Sequence, residues 1–324
     1  MIPEIKISSR EQELDNLVVV VSKWNKLPGG IFNQAEKNYL RQQVEAEGKS
    51  VVTLNRITYQ VFLFFIRKEQ DPEKRLEGCR KGGAEITRSL NDQKAERVAV
   101  FYVEGNGDEA LALAEGMALG SYQYLRFRKD GKKVNTLREI EIYSGFLSAT
   151  IDDFDGNPGS GIISPLNLNT LVGTVYWCRD LTNTPNSHQT ATSFALEVER
   201  EASQAGVSVE ILNKSRLQAL KMGGIMAVNR GSMEPPVFIV AEWKPANAIP
   251  AKPIVLVGKG VIYDSGGMNL KPGNSMQNMK HDMAGAAVVA ATMVAAARAN
   301  LPVHLVGLMP ATDNRPGPNA MVSG

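Results

Sequence analysis

Four charged residues of two kinds lie close together in one glycine-rich stretch of the sequence: Lys259, Asp264, Lys271 and Asp282. Paired carboxylates can hold hard or borderline divalent cations. The two lysines could serve as an unusual metal ligand and as an electrophile. The glycines between them allow sharp turns and a close approach of the backbone to a ligand. The stretch therefore predicts a site that binds divalent metal ions.

The elements around this stretch are predicted to bring the charges to one edge of a sheet. Residues 253–257 form a short apolar run, which is typical of a strand buried on both faces. Lys259 follows its carboxyl end, where open α/β sheets bind ligands. Residues 283–299 predict a buried helix with Asp282 at its first turn, and residues 301–309 predict the next strand.

Each part of the stretch also has a simpler interpretation. The sequence Asp-Ser-Gly-Gly at 264–267 is by itself usually a turn, and Lys-Pro-Gly at 271–273 is usually an exposed loop. Asp282 could be a helix cap. His281 precedes Asp282 on a different side of the helix start, and we interpret it as structural. Only the combination of these residues at this spacing favours a site.

The same stretch resembles the signature of the leucine aminopeptidase family, the cytosolic two-metal aminopeptidases. The match covers the four charged residues and Met279 without a gap, and it extends from about Asn167 to Gly324. Further matching segments are Arg179–Pro185, Met222–Val228, Gly231–Pro236 and Val306–Ala311.

The resemblance implies a role for each of the five residues. Lys259 and Asp282 would bind one metal ion, Asp264 would bridge two, Lys271 would polarise the scissile carbonyl, and Met279 would line the substrate pocket. A lysine can ligate only as a neutral amine, so a nearby dication must hold it deprotonated. The implied cofactors are two divalent ions, zinc, manganese or magnesium, with bicarbonate as a base.

One part of the family pattern does not occur in this sequence. The family takes two more carboxylate ligands and an arginine from a later Asn-Thr-Asp-Ala-Glu-Gly-Arg stretch, and no copy of it precedes Gly324. We therefore expect an incomplete two-metal site, weak metal binding and little activity in the 324-residue chain. We also expect exposed apolar surface at a sheet edge after the strand at 303–309.

The composition is typical of a globular protein, and the net charge indicates which classes of partner are not favoured. Apolar residues make up 43% and charged residues 22%, and the net charge of +2 does not favour nucleic acid or an anionic membrane as partner. Cys79 and Cys178 form no disulfide or metal pattern, which indicates a reducing compartment. No signal peptide is evident, and the longest apolar run, 61–66, is too short to cross a bilayer. We expect a cytoplasmic enzyme acting on peptides, and the family implies a homohexamer.

The first half of the sequence predicts a separate α/β unit. Strands are expected at 16–22, 50–55, 60–66, 97–103 and 134–143, with helices at 73–90 and 108–120. A polar, glycine-rich segment at 151–161 predicts a linker. The predicted organisation is an N-terminal α/β domain, 1–161, and an incomplete, doubly wound α/β catalytic domain, 162–324.

Two other functional classes stay open at this point. One is a non-catalytic fragment or an assembly or binding subunit, because the later ligands are absent. The other is a doubly wound protein that binds phosphate or nucleotide. The second class lacks a Walker or dinucleotide fingerprint, since Gly105-Asn-Gly107 is a lone glycine pair before a helix.

Overall fold

The computed structural model describes residues 1–8, 16–102, 107–129, 134–143, 165–249 and 252–320. The chain divides into two compact units, Met1–Val172 and Gly173–Gly324. The predicted linker at 151–161, the predicted boundary after residue 161, and most of the lone glycine pair lie outside the described residues.

The first unit contains a six-stranded sheet in the order β1-β6-β5-β2-β4-β3. Neighbouring strands are parallel except β3 and β4, which form an antiparallel pair. The central strands carry runs of valine and phenylalanine and are almost fully buried, which suits a sheet covered on both faces. The strands are β1 Glu4–Ser8, β2 Leu17–Val21, β3 Val51–Asn55, β4 Gln60–Phe65, β5 Arg97–Tyr102 and β6 Glu139–Tyr143.

Three helices accompany this sheet: α1 Gln34–Glu45, α2 Pro72–Asp92 and α3 Asp108–Gly120. Helices α2 and α3 pack with their backbones in contact. A Cβ at Gly83 would lie 2.1 Å from the Leu113 carbonyl oxygen, and one at Gly116 would lie 2.0 Å from that of Arg80. Real Cβ atoms essentially never approach so closely, so glycine is required at both positions for this packing.

The second unit contains a mixed five-stranded sheet. Strand β11 lies at its centre, antiparallel to β8 and parallel to both β9 and β10, and β7 extends the sheet beyond β8. The elements are α5 Ala191–Gln204, β7 Ser208–Leu212, α6 Lys214–Ala219, α7 Gly223–Val228, β8 Val237–Trp243, β9 Ile254–Val257, β10 Gly260–Asp264, α8 Ala284–Arg298 and β11 Leu305–Asn314. Between the two units in sequence, α4 spans Pro165–Asn183 and includes the point of division.

Helices α5 and α8 supply the core of the second unit. Phe194 and Val198 of α5, Met293 of α8, and Ile262 and Met309 of the sheet are buried in one hydrophobic cluster. The alanine-rich sequence of α8 lets this helix lie close to the strands. The predicted α/β class is confirmed, with antiparallel pairs in both sheets.

One expectation about the second sheet is wrong. The strand predicted at 253–257 forms as β9 but is not buried, since Ile254, Val255 and Val257 are 47%, 50% and 71% exposed. Strand β9 pairs with β11 alone among the described strands. The strand predicted at 301–309 lies within β11, which pairs with strands on both of its sides and is largely buried.

Two smaller differences concern strand bounds. The strand predicted at 134–143 is limited to β6, and residues 134–138 lie outside any strand. Strand β10 was not expected, since the glycines around it indicated a loop. Within the described residues, no helix combines the length and the apolar character that crossing a membrane requires.

Candidate metal centre

The candidate site begins at a break between two strands that share one partner. Strand β9 pairs with residues 305–308 of β11, and β10 pairs with β11 from residue 311 onward. Gly258 and Lys259 occupy the gap between β9 and β10. Lys259 therefore belongs to neither strand and lies between the end of β9 and the start of β10.

Two glycines bring this break against the start of α8. A Cβ at Gly258 would lie 2.6 Å from the Gly285 carbonyl oxygen, and a Cβ at Gly285 would lie 3.0 Å from the Lys259 backbone nitrogen. The Ala286 backbone N–H donates to the Lys259 carbonyl at 2.9 Å. The backbone of Lys259 is therefore fixed beside the first turn of α8.

Asp282 faces Lys259 from a 3-10 turn, Met279–Met283, that leads into α8. The Lys259 Nζ lies 2.6 Å from Asp282 Oδ2. The two groups form a close ion pair, in which the Lys259 ammonium is the partner of the buried Oδ2.

Asp264 lies at the end of β10 and forms the second ion pair of the site. Its Oδ2 is 3.1 Å from Lys271 Nζ. Its Oδ1 accepts hydrogen bonds from the Gly266 backbone N–H at 3.0 Å and from Asn314 Nδ2 at 2.6 Å. The loop that carries Lys271 is held by its own backbone N–H, which donates to the Ser265 carbonyl at 2.9 Å.

The pKa values of the two carboxyl groups shift in opposite directions. Burial acts to raise the pKa of Asp264, but the hydrogen bonds from Gly266, Lys271 and Asn314 outweigh it, and the pKa is lowered. The pKa of Asp282 is raised, mainly by burial and further by the nearby charge of Asp264, against the opposing effect of Lys259. The two carboxyl groups are therefore near enough to influence each other.

The remaining predicted residues lie in the same 3-10 turn. Met279 is half-buried at its first position, after Asn278, whose φ of +65° is unusual for a non-glycine residue. His281 is also half-buried, and its pKa is lowered by burial and by the charge of Lys280. Asp282 precedes α8 in this turn and does not lie in the first turn of the helix itself.

The donor set suits a divalent cation. Asp282 pairs with Lys259, and the charge of Asp264 acts on Asp282, so two carboxylates and one amine lie near one another. The described residues contain no group of three or more His, Cys, Asp and Glu side chains that could hold a metal ion. The two aspartates and Lys259 are thus the donors that this part of the chain brings together.

The sequence analysis did not identify Asn314 as part of the site. It lies at the end of β11, opposite Asp264 in the strand register. A signal was present, because the polar residues Thr312–Arg315 follow an apolar run at the carboxyl end of a strand. The pairing of β10 with β11 was needed to connect that signal with Asp264.

Residues 176–324 match the family model described as the cytosol aminopeptidase family, catalytic domain. The chain belongs to the cytosol aminopeptidase family. A probable cytosol aminopeptidase of Chlorobium limicola is 36% identical over 267 residues, which cover 78% of this chain and 52% of the relative. The chain thus spans about half the length of the curated relatives that it matches.

Two solved structures show the same fold across nearly the whole chain. A mutant of tomato leucine aminopeptidase superposes with a TM-score of 0.76 at 23% identity, covering 99% of this chain and 64% of that one. The bottromycin maturation enzyme BotP in complex with Mn superposes with a TM-score of 0.72 at 24% identity, covering 96% of this chain and 62% of that one. At such low identity these likenesses concern the fold alone.

Proposed function

We propose that this chain is part of a metal-dependent aminopeptidase that releases N-terminal amino acids from peptides. The observation that carries the proposal is the close association of Asp264, Asp282 and Lys259. The Lys259 amine lies 2.6 Å from Asp282 Oδ2, and the charge of Asp264 acts on Asp282. A divalent cation could replace the proton of the Lys259 ammonium and take the two carboxylates and the neutral amine as ligands. Membership of the cytosol aminopeptidase family supports the same assignment.

The residues of the site then have distinct roles. Lys259, Asp264 and Asp282 would hold divalent ions, and Asp264 would be the ligand that two ions share. Ions bound there would supply a water of lowered pKa and a clamp for the substrate. Lys271, which forms an ion pair with Asp264, would stabilise the oxyanion that develops on the scissile carbonyl. Met279 offers an apolar, deformable contact to the first side chain of the substrate.

Manganese is a reasonable first choice of metal, because a structural neighbour was solved with Mn. Zinc and magnesium also bind carboxylate oxygens, and zinc additionally accepts a nitrogen donor. Further parts of the proposal are bicarbonate as a base, a cytoplasmic location and a homohexameric assembly. These rest on the family to which the chain belongs.

The test uses the protein expressed from its complete gene. Chelation should abolish release of amino acids from peptides with free N-termini, and added Mn²⁺ or Zn²⁺ should restore it. Lys271→Ala should lower kcat by about 10²–10³ while metal content stays unchanged, because one oxyanion donor is worth roughly 3–4 kcal/mol. Asp264→Ala should remove metal and activity together.

The control for the lysine is Lys244→Ala, which removes an exposed lysine of the same unit outside the site. It should leave both kcat and metal content unchanged. Full activity after thorough chelation would rule out a metal mechanism. Metal content that persists in Asp264→Ala would refute the role of that carboxylate.

A further inference from the structure

An irregular strand register places Asn314 directly opposite Asp264. Strands β10 and β11 pair Val261 with Thr312 and then Asp264 with Asn314, so three steps along β10 match two along β11. An irregularity of this kind bends a strand and re-aims the side chains that follow it. Here it brings the Asn314 Nδ2 to 2.6 Å from Asp264 Oδ1.

The two oxygens of Asp264 have different surroundings. Oδ1 accepts from two neutral donors, the Asn314 amide and the Gly266 backbone N–H, whereas Oδ2 faces Lys271 at 3.1 Å. Neutral donors fix the rotation of a carboxylate without cancelling its charge. Ligating carboxylates are commonly held by hydrogen bonds of this kind, and the loss of such a bond typically weakens metal binding.

Asn314 is itself held on two sides. Its backbone carbonyl accepts from the Ser265 backbone N–H at 3.0 Å and from Ser265 Oγ at 2.7 Å. A Cβ at Gly267 would lie 2.7 Å from the side-chain oxygen of Asn314, so any residue other than glycine there would displace this oxygen. The amide group therefore has little freedom to turn away from Asp264.

A buried polar network anchors the strand end that carries Asn314. Asp313 is fully buried, and its Oδ2 accepts from Arg315 Nε at 3.0 Å and from Ser232 Oγ at 3.3 Å. Asn186 Nδ2 donates to Asp313 Oδ1 at 3.5 Å, and the Arg315 guanidinium donates to Asn186 Oδ1. A buried, hydrogen-bonded ion pair of this kind fixes a local conformation.

The same network uses segments that the metal site leaves unexplained. Asn186 directly follows the segment Arg179–Pro185, and Ser232 belongs to the segment Gly231–Pro236. A Cβ at Gly231 would lie 1.9 Å from the Arg315 carbonyl oxygen, so this glycine is needed for the approach. Both segments meet the end of β11 at the residues that flank Asn314.

We propose that Asn314 is a positioning residue, which holds the Asp264 carboxylate in the orientation that binds metal. The inference rests on the proposed function, because it concerns the metal site. Asn314 acts through Asp264 and does not itself contact the ion or the substrate. The ion pair of Asp313 and Arg315 supports it from behind.

The first experiment measures Mn²⁺ affinity by calorimetry on the protein expressed from its complete gene. Asn314→Ala removes the donor, and Asn314→Leu removes it while keeping about the same side-chain volume. Both variants should bind Mn²⁺ about 10–100-fold more weakly, as is typical when a group that supports a ligand is lost. The Asn314→Leu variant keeps the test valid if the alanine variant folds poorly.

The matched control is Asn213→Ala, in the same unit. The Asn213 side chain caps α6 by accepting from the Arg216 backbone N–H at 3.1 Å, far along the chain from the site. This variant should lose stability, as helix caps do, and keep its Mn²⁺ affinity within about twofold. Equal weakening in the control would show that general destabilisation, and not positioning, lowers the affinity.

The second experiment needs no metal and compares two adjacent backbone amides by hydrogen exchange. The Gly266 N–H donates to the Asp264 side chain, whereas the Ser265 N–H donates to the Asn314 carbonyl. In Asn314→Ala the Gly266 amide should exchange faster, because Asp264 can now rotate, while the Ser265 amide keeps its protection. A merely structural role would change both amides together or neither.

The outcomes separate the inference from the proposed function. If the wild-type protein binds no Mn²⁺, Zn²⁺ or Mg²⁺, the proposed function fails, whatever the amides do. If the wild type binds Mn²⁺ and Asn314→Ala binds it equally tightly, the inference fails and the proposed function stands. Unchanged protection of Gly266 in Asn314→Ala would likewise overturn the inference.

Discussion

Glycine brings backbone against backbone in both units, yet the two contacts serve different purposes. In the first unit, Gly83 and Gly116 let α2 and α3 touch along their length, and the surrounding side chains are apolar or paired. In the second unit, Gly258 and Gly285 let a strand break touch the start of α8, and the result is a lysine beside a buried carboxylate. The same device builds a core in one place and positions charges in the other.

The two contacts differ in the groups that they bring together. The contact between α2 and α3 leaves Cys79 buried and chemically quiet, since burial raises the pKa of its thiol to about 12, and pairs Arg75 with Glu109 at 3.1 Å. The contact at Gly258 brings Lys259 to Asp282, close to a second ion pair of Lys271 and Asp264. Close packing therefore builds a core in the first unit, while in the second it gathers two carboxylates and two amines.

The largest effect should follow from Gly116→Ala in the first unit. Alanine gains about 1 kcal/mol over glycine in a helix interior. However, its Cβ would lie 2.0 Å from the Arg80 carbonyl, so the helices must separate. Overpacking costs typically 1–3 kcal/mol, occasionally more. For so short a contact we take about 3–4 kcal/mol, which leaves a net loss of about 2–3 kcal/mol after the gain in helix propensity. Urea-dependent hydrogen exchange, read by mass spectrometry for each unit, measures it.

The control is Gly78→Ala in the same helix, where a Cβ would meet nothing within 4 Å. This variant should stabilise the first unit by about 0.5–1 kcal/mol through helix propensity alone. Metal affinity should stay at the wild-type value in both variants. A stable Gly116→Ala variant would mean that α2 and α3 do not depend on glycine for their contact.

An intermediate effect is expected from pH, through Cys79. Because its folded pKa is raised, mainly by burial and also by the charge of Glu109, the native state retains the thiol proton longer than the unfolded state. The resulting stability is present below the unfolded pKa and is lost as pH rises toward the folded value of about 12. Between pH 9 and 11 the first unit should therefore lose about 1 kcal/mol of stability per pH unit from this group.

The measurement compares wild type with Cys79→Ala across that pH range. The variant should be less stable at pH 7, because it leaves a small cavity, but its free energy of unfolding should fall less steeply with pH. Cys178→Ala serves as a reference in the second unit, where the thiol is only half-buried. Equal slopes in wild type and Cys79→Ala would contradict the assignment.

Gly258→Ala should have the smallest effect on stability, but it should specifically weaken Mn²⁺ binding. Its Cβ would meet the Gly285 carbonyl at 2.6 Å, which is less severe than the contact at Gly116. We expect a loss of about 1 kcal/mol in stability. Moving Lys259 away from Asp282 should weaken Mn²⁺ binding by about tenfold, comparable to other losses around a metal site.

Gly224→Ala is the matched control for Gly258→Ala. Gly224 lies in α7 of the same unit, and a Cβ there would meet nothing within 4 Å. This variant should keep wild-type Mn²⁺ affinity. If Gly258→Ala also keeps that affinity, the close contact with α8 is not what positions Lys259.

Much of the first unit could be predicted because its signals are local. The alanine-rich segment of α3 begins and ends at the predicted residues, and β2, β4 and β5 follow their apolar runs closely. Helix α1 was not expected, since few of its residues are apolar. Its capping box between Asn33 and Glu36 was the signal that could have located it.

The second unit was harder to predict because strand burial depends on partners far along the chain. The apolar sequence of β9 suggested a strand covered on both faces, but nothing in those residues indicates how many strands lie beside it. The charged residues of the site were predictable from type and spacing. Asn314 was not, because its position opposite Asp264 depends on the register of two strands that are separated in sequence.

Strand β9 has a consequence for any experiment on Lys259. Its apolar residues lie exposed at a sheet edge, and such edges invite pairing between molecules and aggregation. The strand is only four residues long and is bracketed by Lys252 and Pro253 on one side and by Lys259 on the other. Flanking charges and prolines of this kind oppose aggregation. Replacing Lys259 by an uncharged residue therefore removes a charge that opposes aggregation as well as a candidate metal ligand. Precipitation of such a variant should not be interpreted as loss of metal.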